Sequence, residues 1–305
     1  MPRKYPLNVA PITTGDEAFR AKFRSWNLAE LSFVDIKEYL KDKDTVIVPM
    51  ASTEQHGPHL PLYTDTITAV EISERVSQLI GVLHTPPVWF GYSPQHMHGA
   101  GEGRGTITVR SSTLLAVLHD VGRSLIHHGF NRIIFMNGHG SNIKVVDPVL
   151  RELRYKTGAL ISFVKPYMES YVGVLKGLME NPPEETPGWH SSELETSQDM
   201  AWNEDLVRME RAENTRAHSP EFLPDAFRKN DGMPDTDFEG YKYFSFPMDH
   251  HEFIENGIIG NPMRATKEKG ERAFELLSEH VARGIIELQK VPVSVHSRDF
   301  IDRVM

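Results

Sequence analysis

Three residues of types that bind divalent cations follow one apolar run. Glu54 and His56 are two positions apart in Ser52-Thr53-Glu54-Gln55-His56-Gly57, and Asp65 closes the same stretch just ahead of a helical pattern. An extended chain points residues i and i+2 the same way, so Glu54 and His56 share a side. At a helix start the dipole favours the Asp65 carboxylate. Glu, His and Asp form a nitrogen–oxygen ligand set suited to Zn²⁺, Mn²⁺ or Fe²⁺. Each alone reads as a polar loop residue or a helix cap; together at one strand end they predict a metal centre. The chain has no cysteine, which leaves only nitrogen and oxygen ligands for any metal and rules out a disulfide framework.

Two later segments carry the same kind of chemistry. Asn137-Gly138-His139-Gly140-Ser141-Asn142 also follows a buried apolar run, and its glycines let the chain approach a ligand closely. Trp189-His190-Ser191-Ser192-Glu193-Leu194-Glu195 sets a histidine ahead of two acids near a helix start. His190 suits general acid–base work, because imidazole titrates near working pH. Glu193 and Glu195 point to different helix faces, so only one of them faces the site. His59 reads equally as a residue orienting a ligand and as a plain loop residue. His127 and His128 end a helix, where a cation suits the dipole. Asp249, His250 and His251 are assigned to the surface.

The elements that must position these residues alternate. Thr45–Met50 (TVIVPM) and Arg132–Met136 (RIIFM) are short apolar runs of the kind found in buried parallel strands, and Ala159–Val164 is a third. Val82–Phe90 reads as a strand broken by Pro86 and Pro87, and Thr106–Val109 as a short strand. Helices fit Leu31–Leu40, Thr66–Ile80, Ser112–His128, Asn142–Tyr155 with Pro148 inside it, Glu193–Trp202, and Lys267–Gln289 with Thr266 as N-cap. Gly129 ends the helix before it. This order predicts an α/β fold, a mostly parallel sheet covered on both faces, with ligands beyond the carboxyl ends of the strands. Residues 1–28 form an N-terminal arm, and 29–305 a single domain with an excursion or lid at about 213–256. Residues 181–187 read as a loop. The glycine-rich stretch Gly91–Gly105 reads as a functional loop.

The bulk numbers fit a soluble enzyme. The chain has 305 residues, 39% hydrophobic and 25% charged, with a formal net charge of −9. An acidic balance argues against a general nucleic-acid role. No run approaches the roughly 18 apolar residues needed to span a bilayer. The N-terminus lacks the apolar core of a signal peptide, so a cytoplasmic location is expected.

Taken together, the segments resemble the creatininase (creatinine amidohydrolase) family. The matching pieces are STEQHGPHLPLYTD at 52–65, GYS and RGT within 91–106, NGHGSN at 137–142, HSSELETS at 190–197 and GIIGNPMRATKEKG at 257–270. The resemblance implies a three-layer α/β/α sandwich, two divalent metal ions per subunit (Zn, Mn or Fe), a small-molecule substrate and a homo-oligomer, often a hexamer. Carried over by position, Glu54, His56, Asp65 and His139 are metal ligands, with Asp65 as the bridge. His190 is the catalytic histidine and Glu195 the acid of the ETS triplet. The creatinine-cleaving pattern has a glutamate two residues after the histidine of the NGH segment, where this chain has Ser141. It has an acid where this chain has Trp189. These departures set the chain apart from creatinine as substrate and leave Glu195 as the fifth ligand. The implied reaction is attack by a metal-activated water on a C–N bond of a small amide or ureide, cyclic ones included. His190 serves the leaving nitrogen, and Tyr92, Ser93, His96, Thr106 and Trp189 line the pocket. A deformylase acting on a formylamino compound and a non-catalytic metal-binding maturation factor are the alternatives.

Overall fold

The computed structural model describes residues 17–97, 103–166, 174–175, 177–180, 189–228 and 235–299. In chain order the elements are α1 (Glu17–Arg20), α2 (Phe33–Tyr39), β1 (Thr45–Met50), α3 (Thr64–Ile80), β2 (Leu83–His84), α4 (Ser111–His128) and β3 (Arg132–Asn137). They continue as α5 (Asp147–Thr157), β4 (Leu160–Val164), α6 (Glu193–Asn203), the hairpin β5 (Asp235–Phe238) and β6 (Tyr241–Ser245), and α7 (Lys267–Gln289).

Four parallel strands form the central sheet in the order β2-β1-β3-β4. Alternation along each strand splits the core into two layers. Val46, Val48 and Met50 of β1 and Ile133 and Phe135 of β3 pack with α2, α4 and α5. Ile47, Ile134 and Met136 face the opposite way, against α3 and α7. The result is a three-layer α/β/α sandwich. Residues 17–28 of the expected arm pack on the first layer through the buried Phe19 with Phe23 and Trp26. Residues 1–16 of that arm, the loop at 181–187 and part of Gly91–Gly105 lie outside the described residues, as do residues 229–234 of the excursion.

Several boundaries differ from the sequence expectation for identifiable reasons. The strand expected over Val82–Phe90 shrinks to β2, because Pro86 and Pro87 cannot donate to a ladder. Past the prolines the chain rejoins β1 through a single bridge, Ala51 N–H to Val88 O at 3.0 Å. Thr106–Val109 likewise makes one bridge, Ile107 N–H to Thr53 O at 2.8 Å, instead of a strand. The helix expected over Asn142–Tyr155 divides into a 3-10 turn, Gly140–Lys144, and α5, with Pro148 in the first turn of α5 where its missing N–H costs nothing. α3 begins at Thr64, which sets Asp65 inside its first turn. α7 and its Thr266 cap stand as expected, the hydroxyl accepting from Lys269 N at 3.2 Å. Among the described residues, no helix is long and apolar enough to cross a membrane.

Candidate metal centre

Strand register decides why distant segments meet. β1 and β3 are parallel neighbours with Met50 opposite Asn137, so the residues after both strands leave the sheet at one edge. Glu54 and His56 follow β1, His139 follows β3, and the α3 N-terminus brings Asp65 between them. Gly138 permits the approach: a Cβ there would sit 2.0 Å from the Asp65 carbonyl oxygen. Asn142 ties the loops together, its Nδ2 donating to Asn137 Oδ1 (3.0 Å) and Ala51 O (3.2 Å), while Tyr92 N–H donates to its Oδ1 (3.0 Å).

Four groups of donor atoms overlap among the described residues: two are His96, His190 and His250, and Glu54, His56 and His190, and the other two share one carboxylate. Of the two that share it, Glu54, Asp65 and His139 form the first; His56, Asp65 and Glu195 form the second. In the first, Asp65 Oδ2 lies 2.9 Å and Glu54 Oε2 3.3 Å from His139 Nδ1. In the second, Asp65 Oδ1 lies 3.4 Å and Glu195 Oε2 3.7 Å from His56 Nε2. All of these residues except the partly exposed Glu195 are buried.

Hydrogen bonds on the far sides of the rings fix which nitrogens face inward. His139 Nε2 faces the Tyr92 carbonyl at 3.0 Å and the Ser93 hydroxyl at 3.1 Å. His56 Nδ1 faces the Glu54 carbonyl at 3.2 Å. A carbonyl only accepts, so in the neutral rings the outward nitrogens carry the protons and the inward ones are lone pairs. Lone pairs and carboxylate oxygens then converge on one another. Glu54 Oε2, Asp65 Oδ2 and His56 Nε2 are buried with no hydrogen-bond partner. Such an assembly needs positive charge. Without a cation the histidines supply it. Burial alone would discharge His56, yet Asp65, Glu195 and Glu54 outweigh it and push its pKa up to about 10. His139 rises well above the ordinary imidazole range for the same reason, with Glu54 and Asp65 overcoming burial. The residues therefore fit divalent cations.

The two glutamates of α6 have different partners. Glu193 is buried away from the site, accepting from Lys269 Nζ at 2.8 Å and Glu180 N–H at 2.9 Å. Glu195 turns inward and accepts the Ser191 N–H at 2.5 Å. Ser191 holds a left-handed φ of 55°, unusual for a non-glycine residue, which kinks the chain between His190 and α6. His190 Nδ1 donates to the Gly257 carbonyl at 2.8 Å, leaving its buried Nε2 unpartnered, 3.5 Å from Glu54 Oε1 and beside the metal groups. His59 stands behind them, Nε2 to Thr196 Oγ1 at 3.0 Å, and burial lowers its pKa to about 4, so its ring is neutral.

Some expected pocket residues are committed elsewhere. The buried Ser93 hydroxyl bonds Ser52 Oγ (2.5 Å) as well as His139, so it braces the His139 ring. Thr106 Oγ1 accepts the Gln55 N–H at 3.0 Å and fixes the backbone between Glu54 and His56. His96 sits in the cluster with both ring nitrogens engaged by Gln55 and Glu54. Trp189 is half-buried and edge-on to His190, ring centroids 5.9 Å apart. His250 corrects the surface assignment. It is buried, 4.8 Å from His190 and 3.9 Å from His96 between ring centroids. Asp249 and Glu252 form a capping box at its turn, and packing against His96 and His190 buries the ring. Ser141, at the departing position, accepts from Gln95 Nε2 at 2.8 Å.

The creatinine amidohydrolase family model matches residues 29–285. The chain is 29% identical to the creatinine amidohydrolase of Pseudomonas putida over 85% of its own length and 96% of that protein. It is 27% identical to the 3-dehydro-scyllo-inosose hydrolase of Thermotoga maritima (85% and 82% covered). It is also 27% identical to the mycofactocin precursor peptide peptidase of Mycobacterium tuberculosis (87% and 94%). Among solved structures, a mutant creatininase of Zn-Zn type superposes with a TM-score of 0.68 and a Mn creatininase with 0.69, each at 27% identity over 88% of this chain and 100% of that one.

Proposed function

The chain belongs to the creatininase family, and we propose that it is a two-metal hydrolase cleaving a C–N bond of a small amide or ureide. The observation that carries this reading is the placement of Asp65, whose two oxygens belong to two separate groups of donor atoms. A carboxylate so shared holds two cations close together. A divalent pair, Zn or Mn as in the similar structures, lowers the pKa of a water toward ~7 and polarises a carbonyl. Glu54 and His139 would hold one cation and His56 and Glu195 the other, with Asp65 contributing to both groups. His190 keeps its Nε2 free because Nδ1 is tied to Gly257, so it accepts a proton from the nucleophilic water and returns it to the leaving nitrogen. Trp189 and His250 wall the space beside His190 and exclude water from it.

The relatives are named for creatinine, an inosose and a precursor peptide. The substrate is therefore sought among small carbonyl compounds. The chain is expected to act in the cytoplasm as a homo-oligomer, with 29–305 as one domain. The decisive experiment purifies the protein without chelator, counts bound metal, and assays amide, ureide and formylamino compounds for ammonia, carboxylate and formate release. Near two ions per chain, with turnover that vanishes in His190→Ala while metal stays bound, is the expected result. Far less than one ion per chain and no gain with Zn²⁺ or Mn²⁺ would sink the proposal. Formate release from the formylamino compounds alone would make the protein a deformylase.

A further inference from the structure

A carboxylate that offers one oxygen to a cation needs its other oxygen held in place. Glu54 Oε2 is the unpartnered atom that faces His139. Its Oε1 lies 3.1 Å from His96 Nε2. The second nitrogen of His96, Nδ1, lies 3.0 Å from Gln55 Nε2. The Gln55 amide has a fixed orientation, because its Oε1 accepts the Gly57 N–H at 3.0 Å. An amide NH₂ only donates, so His96 Nδ1 must accept. The single proton of the neutral ring then sits on Nε2, and Nε2–H donates to Glu54 Oε1.

The glycine of the GIIGNPM segment locks this chain of bonds. Gly257 has φ +77°, and a Cβ on it would meet Gln55 Oε1 at 2.1 Å and Nε2 at 2.8 Å. Its bare backbone therefore lies flat against the amide. Its carbonyl also takes the His190 Nδ1 proton at 2.8 Å. One residue thus clamps the amide behind Glu54 and sets the tautomer of His190.

We propose that His96 is a positioning residue of the metal centre: held by Gln55, it donates Nε2–H to Glu54 Oε1 so that Oε2 is presented to the cation. This inference rests on the reading of Glu54 as a metal ligand. A neutral imidazole supplies a donor without a positive charge that would compete with the cations. The rival arrangement makes His96 a ligand itself, since nitrogens of His96, His190 and His250 lie within 4.8 Å of one another. That arrangement needs a bare His96 Nε2 and a protonated Nδ1, which would set two donors against each other at Gln55.

The test reads the proton directly. Long-range proton–nitrogen spectra of ¹⁵N-histidine-labelled protein, assigned with His96→Gln, locate the His96 proton with and without zinc. Protonated Nε2 and bare Nδ1 in both states are expected. A protonated Nδ1, or a zinc-bound Nε2, overturns the proposal. Chelator competition gives a second reading. His96→Leu is expected to weaken zinc binding about 10-fold or more, and His96→Gln, whose amide can still donate to Glu54, to restore it to within about 3-fold. A folded leucine variant with unchanged zinc affinity overturns the proposal, and if that variant does not fold, the wild-type spectra decide. Wild-type protein that takes up no zinc defeats the metalloenzyme reading, and the metal-free spectrum still reports whether the Gln55–His96–Glu54 bonds exist.

Discussion

At the residue scale the centre is organised by Asp65 and by where protons sit. Asp65→Asn keeps the shape but removes the charge shared by both groups. Bound zinc, counted by mass spectrometry on folded protein, is expected to fall from about two ions to less than one per chain, with loss of turnover. The buried histidines carry a second consequence. Without metal, His56 stays protonated up to about pH 10, because Asp65, Glu195 and Glu54 outweigh its burial. A cation must displace that proton, so uptake at pH 8 releases protons. The affinity is expected to rise with pH from neutrality toward 10, because the proton to be displaced becomes easier to lose. Titration calorimetry in buffers of different ionisation enthalpy checks this, and a heat independent of the buffer would contradict it.

At the element scale, the site depends on strand ends, a helix start and the α6–α7 interface arriving together. Gly138→Ala places a methyl group against the Asp65 backbone. Something must shift, at an expected cost of about 3 kcal/mol in urea unfolding and with weaker zinc retention. The two acids of α6 separate cleanly by experiment. Lys269→Met strands the buried Glu193 carboxylate and is expected to lower stability by about 3 kcal/mol with metal content unchanged. Glu195→Gln is expected to do the reverse, lowering metal content with a small effect on stability. If both variants lost metal equally, the assignment of Glu195 as ligand would fail.

At the scale of the whole molecule, the centre is a buried cluster of charges at the edge of the sheet where β1 and β3 end. Metal binds the folded form and not the unfolded one, so free zinc at about 100 times its dissociation constant is expected to stabilise the fold by ~2.7 kcal/mol per site. For a chain of this size that is a rise in melting temperature of several degrees, reversed by chelator. An unchanged melting curve would mean that the cluster holds no cation.

The sequence alone determined the strands β1 and β3, helix α7 with its cap, and Glu54, His56, Asp65 and His139 as a set. Hydrophobic period, helix caps and the motif segments are local signals, carried by residues close in the chain. The tertiary structure decided what depends on contacts across it. Glu193 and Glu195 look alike in sequence, and it takes Glu180 and Lys269, the latter far along the chain, to hold Glu193 away. His250 reads as surface until its turn is packed against His96 and His190. Ser93 and Thr106 read as pocket residues, and only the fold shows their hydroxyls bonded to His139 and to the Gln55 backbone. A side chain's role is set by which partner its donors and acceptors meet, and residue order does not encode that meeting.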